Sequence, residues 1–209
     1  MGKPLLIAVA GGSGSGKTTI VNLISKHAHD FSVLVVQQDH YYRDWSHLEP
    51  AARNEVNFDH PDALDMDLIF AQLTDLASGI PVERPSYDFA THCRAAATTR
   101  LAPAQVILFD GILALHDSRL RELFALKVFV DVADDLRFIR RMGRDMRERG
   151  RSLDSVVKQY LGTVKPMHDK FVAPGRNHAD EVVQWSSWDE PAVVRLVDRL
   201  RKELAKGSR

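Results

Sequence analysis

Short apolar runs alternate along the chain with longer stretches in which apolar residues recur every three or four positions. Most of the runs are nearly continuous, which is typical of parallel strands that are covered on both faces. The strands that they predict are Leu5–Ala10, Val33–Gln37, Val106–Phe109, Lys127–Val132 and Glu181–Trp185. Alternation of strands and helices predicts an α/β fold with a doubly wound sheet.

The periodic stretches predict the helices. These cover Lys17–His27, Asp62–Ala77, Asp134–Arg147 and a C-terminal stripe from Pro191 to Leu204. Asp62 is the expected N-cap of the second helix, because a short polar side chain there can accept a hydrogen bond from the first turn.

One segment, residues 80–103, breaks this alternation. It is extended in composition, with Pro81, Pro85 and the pair Thr98 and Thr99, and it shows no helical period. We expect an inserted β-hairpin at the edge of the sheet. Long inserts in compact domains are often functional.

Length and composition are those of one globular domain, residues 1–209. Lys and Arg total 28 and Asp and Glu total 28, so the chain has no net charge with which to coat nucleic acid or a membrane surface. The single cysteine, Cys93, excludes an internal disulfide and fits a reducing compartment. The N-terminal apolar run is too short for a signal peptide or a membrane span. We expect a cytoplasmic protein with no nucleic-acid or membrane partner.

The strongest chemical signal lies between the first strand and the first helix. Residues 11–18 read GGSGSGKT, which fits the phosphate-binding pattern G-x-x-x-x-G-K-[ST] in full. Backbone N–H groups of such a loop turn toward one anion, Lys17 would bridge the β- and γ-phosphates, and the Thr18 hydroxyl would reach Mg²⁺. The predicted triphosphate site comprises Gly11, Gly12, Ser13, Gly14, Ser15, Gly16, Lys17, Thr18 and Thr19.

Two aspartates follow predicted strands. Asp110 ends the run Val106–Phe109, and Asp39 comes just after Val33–Gln37. The carboxyl ends of parallel strands form the ligand-binding edge of an open sheet, so both carboxylates would lie near the triphosphate. A carboxylate at the Asp39 position can orient an attacking hydroxyl and accept its proton. Each aspartate could instead simply begin a turn.

Seven arginines and two acids, Asp145 and Glu148, occupy residues 137–151, which gives this segment a net charge of +5. A charge run is usually a solvated helix face. In a neutral chain that must bind a triphosphate, we expect instead a lid that closes on the phosphates, over about residues 137–160. Aromatic residues cluster in YDFATH, NFDHPD and HYY, where they would either sandwich a flat ring or simply pack.

Together these stretches resemble the uridine kinase (uridine–cytidine kinase) family. The matching segments, in order between about Pro4 and Asp180, are GGSGSGKTT, QQDHYY, NFDHPDALD, YDFATH, ILFDGILAL, RRMGRDMRERGR and KQYLGTVKP. The resemblance implies a P-loop kinase with a five-stranded parallel sheet flanked by helices, an inserted β-hairpin over the nucleoside and an arginine-rich lid. It also implies a homotetramer.

The resemblance assigns roles to individual positions. It implies that Asp39 is the catalytic carboxylate, with Lys17, Arg144 and Arg149 on the phosphates and Thr18, Asp110 and Asp39 around Mg²⁺. Residues implied to bind the nucleoside are Tyr42, Phe58, Asp59, Tyr87, Phe89, His92, Arg141, Arg151 and Gln159. Asp59 and Arg141 would hold the ribose hydroxyls, and the aromatic residues would surround the base. The family usually has Glu where this chain has Asp110, whose shorter side chain would reach Mg²⁺ through a bridging water.

The implied reaction is direct in-line transfer from ATP or GTP to the 5′-hydroxyl of uridine or cytidine, giving UMP or CMP. Related kinases of other alcohols, such as phosphoribulokinase or pantothenate kinase, act on substrates that lack a pyrimidine ring. The presence of Tyr87, Phe89 and His92 argues against these activities. A regulatory GTPase would need an Asn-Lys-x-Asp motif, which this sequence lacks. A nucleic-acid-binding module built on the arginine segment is disfavoured by the zero net charge.

Overall fold

The computed structural model describes residues 3–53, 55–187 and 189–207. Its strands are β1 (Leu5–Gly11), β2 (Val33–Gln37), β3 (Val82–Asp88), β4 (Cys93–Leu101), β5 (Val106–Asp110), β6 (Leu126–Asp131) and β7 (Glu181–Gln184). Its α-helices are α1 (Lys17–His27), α2 (Pro50–Arg53), α3 (Met66–Ala77), α4 (Ser118–Leu123), α5 (Asp134–Glu148), α6 (Leu153–Gln159), α7 (Lys165–Met167) and α8 (Glu190–Gly207).

Five parallel strands form the central sheet in the order β2-β5-β1-β6-β7. The predicted α/β fold and its strands are confirmed, with strand ends that differ by one residue. Alternate side chains of β1 enter two different cores: Leu6 packs with residues of α3 and α4, and Ile7 packs with residues of α1 and α8. Burial on both faces explains why the strand is apolar without interruption.

The start of α3 differs from the prediction. The helix begins at Met66, and its N-cap is Asp65, whose side chain accepts a hydrogen bond from the Leu68 N–H at 3.2 Å. Asp62 lies instead in a separate 3₁₀ turn, Pro61–Ala63, which the His60 ring caps. The prediction of Asp62 as N-cap is therefore wrong. The two segments are separated because the chain between them pairs with the region after β2, through an isolated bridge between Tyr42 and Leu64.

The insert forms the predicted β-hairpin. Strands β3 and β4 are antiparallel, with a register shift between Pro85 and Ser86, and β3 packs against the 3₁₀ turn Gln38–Tyr41 that follows β2. In the hairpin turn, the Asp88 side chain accepts hydrogen bonds from the Ala90 N–H and the Thr91 hydroxyl, both at 2.8 Å. The hairpin therefore stands over the carboxyl end of β2.

The chain reverses after α5 at Gly150, whose φ of 62° is in the left-handed region that glycine favours. Helix α6 then continues through π-helical turns at Tyr160–Val164 and His168–Val172 on either side of α7. None of the helices within the described ranges combines the length and the apolar composition that a membrane span requires.

Candidate active site

The loops after β1, β2 and β5, the hairpin and the segment around the end of α5 line one cavity of about 1000 Å³. Most of the predicted site residues contribute to its wall: Ser13, Gly14, Gly16, Lys17, Thr18, Thr19, Asp39, Tyr42, Phe58, Asp59, Tyr87, Phe89, His92, Asp110, Arg141, Arg144, Arg149, Arg151 and Gln159. The structure thus gathers at one edge of the sheet residues that are up to about 150 positions apart in sequence, as expected for an open α/β sheet.

Three predicted residues of the glycine-rich loop lie behind this wall. Gly11 is the last residue of β1, and the Ser15 side chain is fully buried. Gly12 packs so closely against Arg137 that a Cβ atom on Gly12 would lie 2.2 Å from the Arg137 guanidinium. These three residues shape the loop from behind.

The loop has the conformation that its glycines allow. Gly14 and Gly16 have φ values of 79° and 91°, and a Cβ atom on Gly14 would lie 2.3 Å from the Arg137 carbonyl oxygen. Helix α1 starts at Lys17 with no side chain capping its first turn. Uncapped N–H groups at a helix N-terminus favour an anion. The Lys17 amine donates to the Gly12 carbonyl at 3.1 Å and so spans the loop.

Charged groups of both signs line the cavity beside this loop. Burial lowers the pKa of Lys17, and the Asp110 and Asp39 carboxylates oppose that shift. Burial also raises the pKa of Asp110, against the effects of Lys17 and of a hydrogen bond from Thr18. The three charged groups therefore influence one another within a single desolvated region.

Asp110 and Thr18 are joined directly. The Thr18 hydroxyl donates to Asp110 Oδ2 at 2.8 Å, so the shorter acid reaches the hydroxyl that is predicted to bind Mg²⁺. Mg²⁺ prefers oxygen ligands and usually keeps several waters. A hydroxyl, a buried carboxylate and the nearby Asp39 carboxylate form an oxygen-only donor set, and they fit this ion.

Removal of the Asp110 carboxylate should weaken the use of Mg²⁺. We expect Asp110→Ala to raise the Mg²⁺ concentration for half-maximal activity about 10- to 100-fold and to lower kcat, because an oxygen near the metal is lost. Asp110→Glu, which restores the longer acid, should be tolerated. A matched control is Asp131→Ala, since Asp131 also ends a parallel strand but does not line the cavity. An unchanged Mg²⁺ titration in Asp110→Ala would reduce Asp110 to a turn former.

Asp39 is held by a residue that sequence reasoning missed. Asp39 lies in the 3₁₀ turn Gln38–Tyr41. The residue that holds this turn is Gln38, whose buried side chain accepts a hydrogen bond from the Leu113 N–H at 3.0 Å. A Cβ atom on Gly111 would lie 2.2 Å from Gln38 Oε1, so the glycine makes room for this contact. Gln38 thereby ties the turn that carries Asp39 to the loop that follows Asp110.

Aromatic rings form the other end of the cavity. The Tyr42 ring packs against Phe58 and Tyr87, each with a centroid distance of 5.3 Å. Phe58 also stacks on His92 at 4.6 Å, with an angle of 22° between the ring planes. Phe89 meets Tyr87 edge-on at 5.4 Å and remains 51% exposed. Rings with these separations can border a flat ligand.

Two polar groups lie among these rings. The Tyr87 hydroxyl is buried, and among the described residues it has no hydrogen-bond partner. Burial raises the pKa of Tyr87, and burial with the nearby Arg151 lowers the pKa of His92. At neutral pH both are therefore uncharged groups that could bond to the edge of a base. His92 also has a φ of 55°, which is uncommon outside glycine and holds the ring at the end of the hairpin turn.

Arg94 fixes the hairpin to this pocket, a role that the sequence did not reveal. Its Nε donates to the Tyr42 carbonyl at 2.9 Å, and its Nη2 pairs with Asp65 at 3.1 Å. Its backbone N–H donates to Asp44 at 3.1 Å. The N-cap of α3, strand β4 and the chain beside Tyr42 are thus joined by one side chain.

Asp59 and Arg141 lie between the aromatic rings and the loop. Burial raises the pKa of Asp59, and Arg141 opposes the shift. Arg141 donates to the Ser13 hydroxyl at 2.7 Å and to Gln159 Oε1 at 2.9 Å. Arg151 also donates to Gln159 Oε1. Arg141 therefore links the glycine-rich loop to α6, next to a carboxylate that can accept hydrogen bonds from a diol.

Six of the seven arginines of this segment line the cavity: Arg140, Arg141, Arg144, Arg147, Arg149 and Arg151. Arg137 is 2% exposed and donates to the Val132 carbonyl, and Arg140 donates to the carbonyls of Trp185 and Ser186. Arg137 and Arg140 therefore anchor α5 to the sheet, and the lid over about residues 137–160 stays a prediction.

Comparison with known proteins agrees with this geometry. Residues 6–190 match the phosphoribulokinase/uridine kinase family. A uridine kinase of Lactobacillus helveticus is 46% identical over 203 residues, which cover 97% of this chain and 96% of the relative. A uridine kinase of Limosilactobacillus reuteri is 46% identical over 204 residues, which cover 98% and 94%. The solved phosphoribulokinase of Rhodobacter spheroides has the same fold, with a TM-score of 0.64 at 15% identity over 88% of this chain and 73% of that one. The chain belongs to the phosphoribulokinase/uridine kinase family.

Proposed function

We propose that this protein is a uridine kinase, which transfers the γ-phosphoryl group of ATP to the 5′-hydroxyl of uridine and forms UMP and ADP. One observation carries the proposal: the Asp39 carboxylate lines a single cavity that has the glycine-rich loop at one end and the aromatic rings at the other. It influences the pKa values of Lys17 and Asp110 at the glycine-rich loop, and those of Tyr42 and Asp59 at the aromatic end. A carboxylate between a phosphate loop and an aromatic pocket can serve a hydroxyl that attacks a phosphate.

Each group then has a step in the transfer. Asp39 orients the nucleoside hydroxyl and takes its proton as the bond from O5′ to the γ-phosphorus forms and the bond to the β–γ bridging oxygen breaks. Lys17, Arg144 and Arg149 bind the phosphate oxygens, on which negative charge is redistributed. Thr18, Asp110 and Asp39 would hold Mg²⁺, which supplies charge neutralisation when bound.

The aromatic end explains the choice of base. Tyr42, Phe58 and Phe89 would border a single pyrimidine ring, and Asp59 with Arg141 would hold the ribose diol. A neutral histidine donates from one ring nitrogen and accepts at the other, so His92 can face either N3–H of uracil or N3 of cytosine. We therefore extend the proposal to cytidine as a second acceptor. The proposal of GTP as a second donor rests on the family resemblance.

A screen of acceptors tests the function. The measurement is kcat/KM with ATP and Mg²⁺ for uridine, cytidine, adenosine and ribulose 5-phosphate, with the phosphorylated product identified. Activity on the two pyrimidine nucleosides supports the proposal. Activity on ribulose 5-phosphate alone would favour the other branch named in the family, and activity on adenosine would contradict the size limit set by the aromatic wall.

Replacement of His92 should affect the nucleoside and spare ATP. His92→Phe keeps a flat ring but leaves the polar edge of the base unpaired, which costs about 1–3 kcal/mol. We expect kcat/KM for uridine to fall about 5- to 150-fold, with KM for ATP unchanged. His29→Phe, at an exposed position, is the control, and the melting temperature of each variant checks that the hairpin still folds. A uridine value equal to that of the wild type would exclude His92 from base recognition.

We also propose a homotetramer, which rests on the resemblance. A cytoplasmic location and the absence of nucleic-acid and membrane partners rest on the single cysteine and the zero net charge. Sedimentation of the purified protein measures the assembly, and a monomer at micromolar concentration would contradict it.

A further inference from the structure

A single buried carboxylate lies at the centre of the cavity-lining arginines. The Asp145 side chain has no exposed surface. Arg144 contacts its Oδ1 through Nη2 at 2.9 Å and through Nε at 3.0 Å, and Arg149 approaches the same oxygen at 3.5 Å. Arg141 and Arg151 face Oδ2 at 3.5 and 3.6 Å. Four guanidinium groups therefore share this counter-ion, and Asp59 adds a second negative charge near Arg141.

The backbone of Asp145 contributes to the same arrangement. Its carbonyl oxygen accepts hydrogen bonds from the N–H groups of Arg149, at 3.3 Å, and of Arg151, at 3.2 Å. These bonds close the end of α5 and turn the chain back at Gly150. As a result, Arg149 and Arg151, which follow the helix, face the same carboxylate as Arg141 and Arg144 within it.

We propose that Asp145 is a positioning residue for phosphoryl transfer, which gathers the lid arginines and holds them in the arrangement that receives the phosphates. The inference rests on the proposed role of Arg144 and Arg149. Without a counter-ion, four like charges so close together repel one another, and the exposed ones would move into solvent. Donors that are already in place need no rearrangement when charge shifts during the reaction.

The geometry leaves the arginines free to act. A guanidinium group carries five N–H donors, and Asp145 engages only part of them on each arginine. The side chains of Arg144 and Arg149 are 34% and 44% exposed, whereas that of Arg141 is 7% exposed. Asp145 is thus buried beneath the arginines while their outer parts line the cavity.

Steady-state kinetics of Asp145→Asn test the proposal. We expect kcat to fall about 10- to 100-fold, because displacement of positioned groups by about 1 Å is enough for such a loss. KM for uridine should change less than about threefold, because Arg141 and Arg151, the two of these arginines that are placed at the nucleoside, keep their hydrogen bonds to Gln159. Asp135→Asn is the matched control, because Asp135 is an exposed acid on the same helix and should leave kcat unchanged. A general loss of folding would lower the melting temperature without this separation of kcat from KM.

A double-mutant comparison shows whether Asp145 acts through the arginines. If it does, Arg144→Ala combined with Asp145→Asn should lower kcat by clearly less than the product of the two single effects. Independent, multiplicative effects would overturn the proposal. If Arg144→Ala and Arg149→Ala both keep full kcat, the proposed phosphate role of these arginines fails. If they are slow while Asp145→Asn is normal, only the present inference fails.

A second variant covers the case in which Asp145→Asn does not fold. Asp145→Glu keeps the negative charge but is one methylene longer in a site with no exposed surface, so it should displace Arg144 and Arg149. We expect the same loss of kcat from Asp145→Glu. A wild-type rate in this variant would show that charge alone, without position, is what the lid requires, and it would overturn the positioning role.

Discussion

Asp39→Asn is expected to lower kcat at least about 100-fold while it leaves ATP affinity nearly unchanged. The amide has almost the same shape as the carboxylate and keeps an oxygen that can orient the hydroxyl, but it cannot take the proton from O5′. The turn that carries Asp39 is held by the buried Gln38 side chain, so the substitution should not displace it. Single-turnover kinetics and direct measurement of ATP binding separate chemistry from affinity.

Asp62→Asn provides the control for this experiment. Asp62 is another aspartate, but its side chain is 92% exposed and it does not line the cavity. Its kcat should match that of the wild type. A kcat for Asp39→Asn within about threefold of the wild-type value would remove Asp39 from the role of base, since general base catalysis normally contributes at least about 100-fold.

Local pattern was sufficient for the parts of the site that belong to one element. The glycine-rich loop needs glycine at positions of positive φ, and the two aspartates come at the ends of apolar runs that are typical of parallel strands. Each of these features is contained in fewer than about ten consecutive residues, within the length of one strand and one turn. The carboxyl edge of the sheet then brings them together without further information from the sequence.

Contacts between distant segments could not be predicted in this way. Gln38 meets Leu113 across 75 positions, and Arg94 meets Asp65 across 29. Asp65 caps α3 instead of Asp62 because of a backbone bridge between Leu64 and Tyr42, and residue type alone does not reveal that bridge. Arg137 and Arg144 are both arginines of α5, yet Arg137 is buried against the sheet and Arg144 lines the cavity. Tertiary packing decides each of these cases.

The second large effect is expected from Lys17. Lys17→Met should lower kcat at least about 100-fold, because the only cation of the loop 11–18 is removed from the point where phosphate charge develops. Methionine keeps most of the apolar stem, so the packing of the first turn of α1 should survive. Lys17 is 8% exposed, and its amine donates a hydrogen bond to the Gly12 carbonyl, which the methionine thioether cannot do. ATP affinity should therefore fall together with kcat.

Stability distinguishes this loss from misfolding. Burial lowers the pKa of Lys17, which means that its charged form is destabilised by desolvation in the folded protein. Replacement of such a charge by an apolar side chain of similar size is often neutral or stabilising, although Asp110 and Asp39 then lose part of their compensation. We expect the melting temperature of Lys17→Met to stay close to that of the wild type in the absence of ATP, and the shift that ATP produces to become smaller. Lys26→Met, at an exposed position of the same helix, should keep both kcat and the ATP-dependent shift. A Lys17→Met enzyme that retains the full ATP-dependent shift and a normal kcat would show that the loop binds phosphate through its backbone alone.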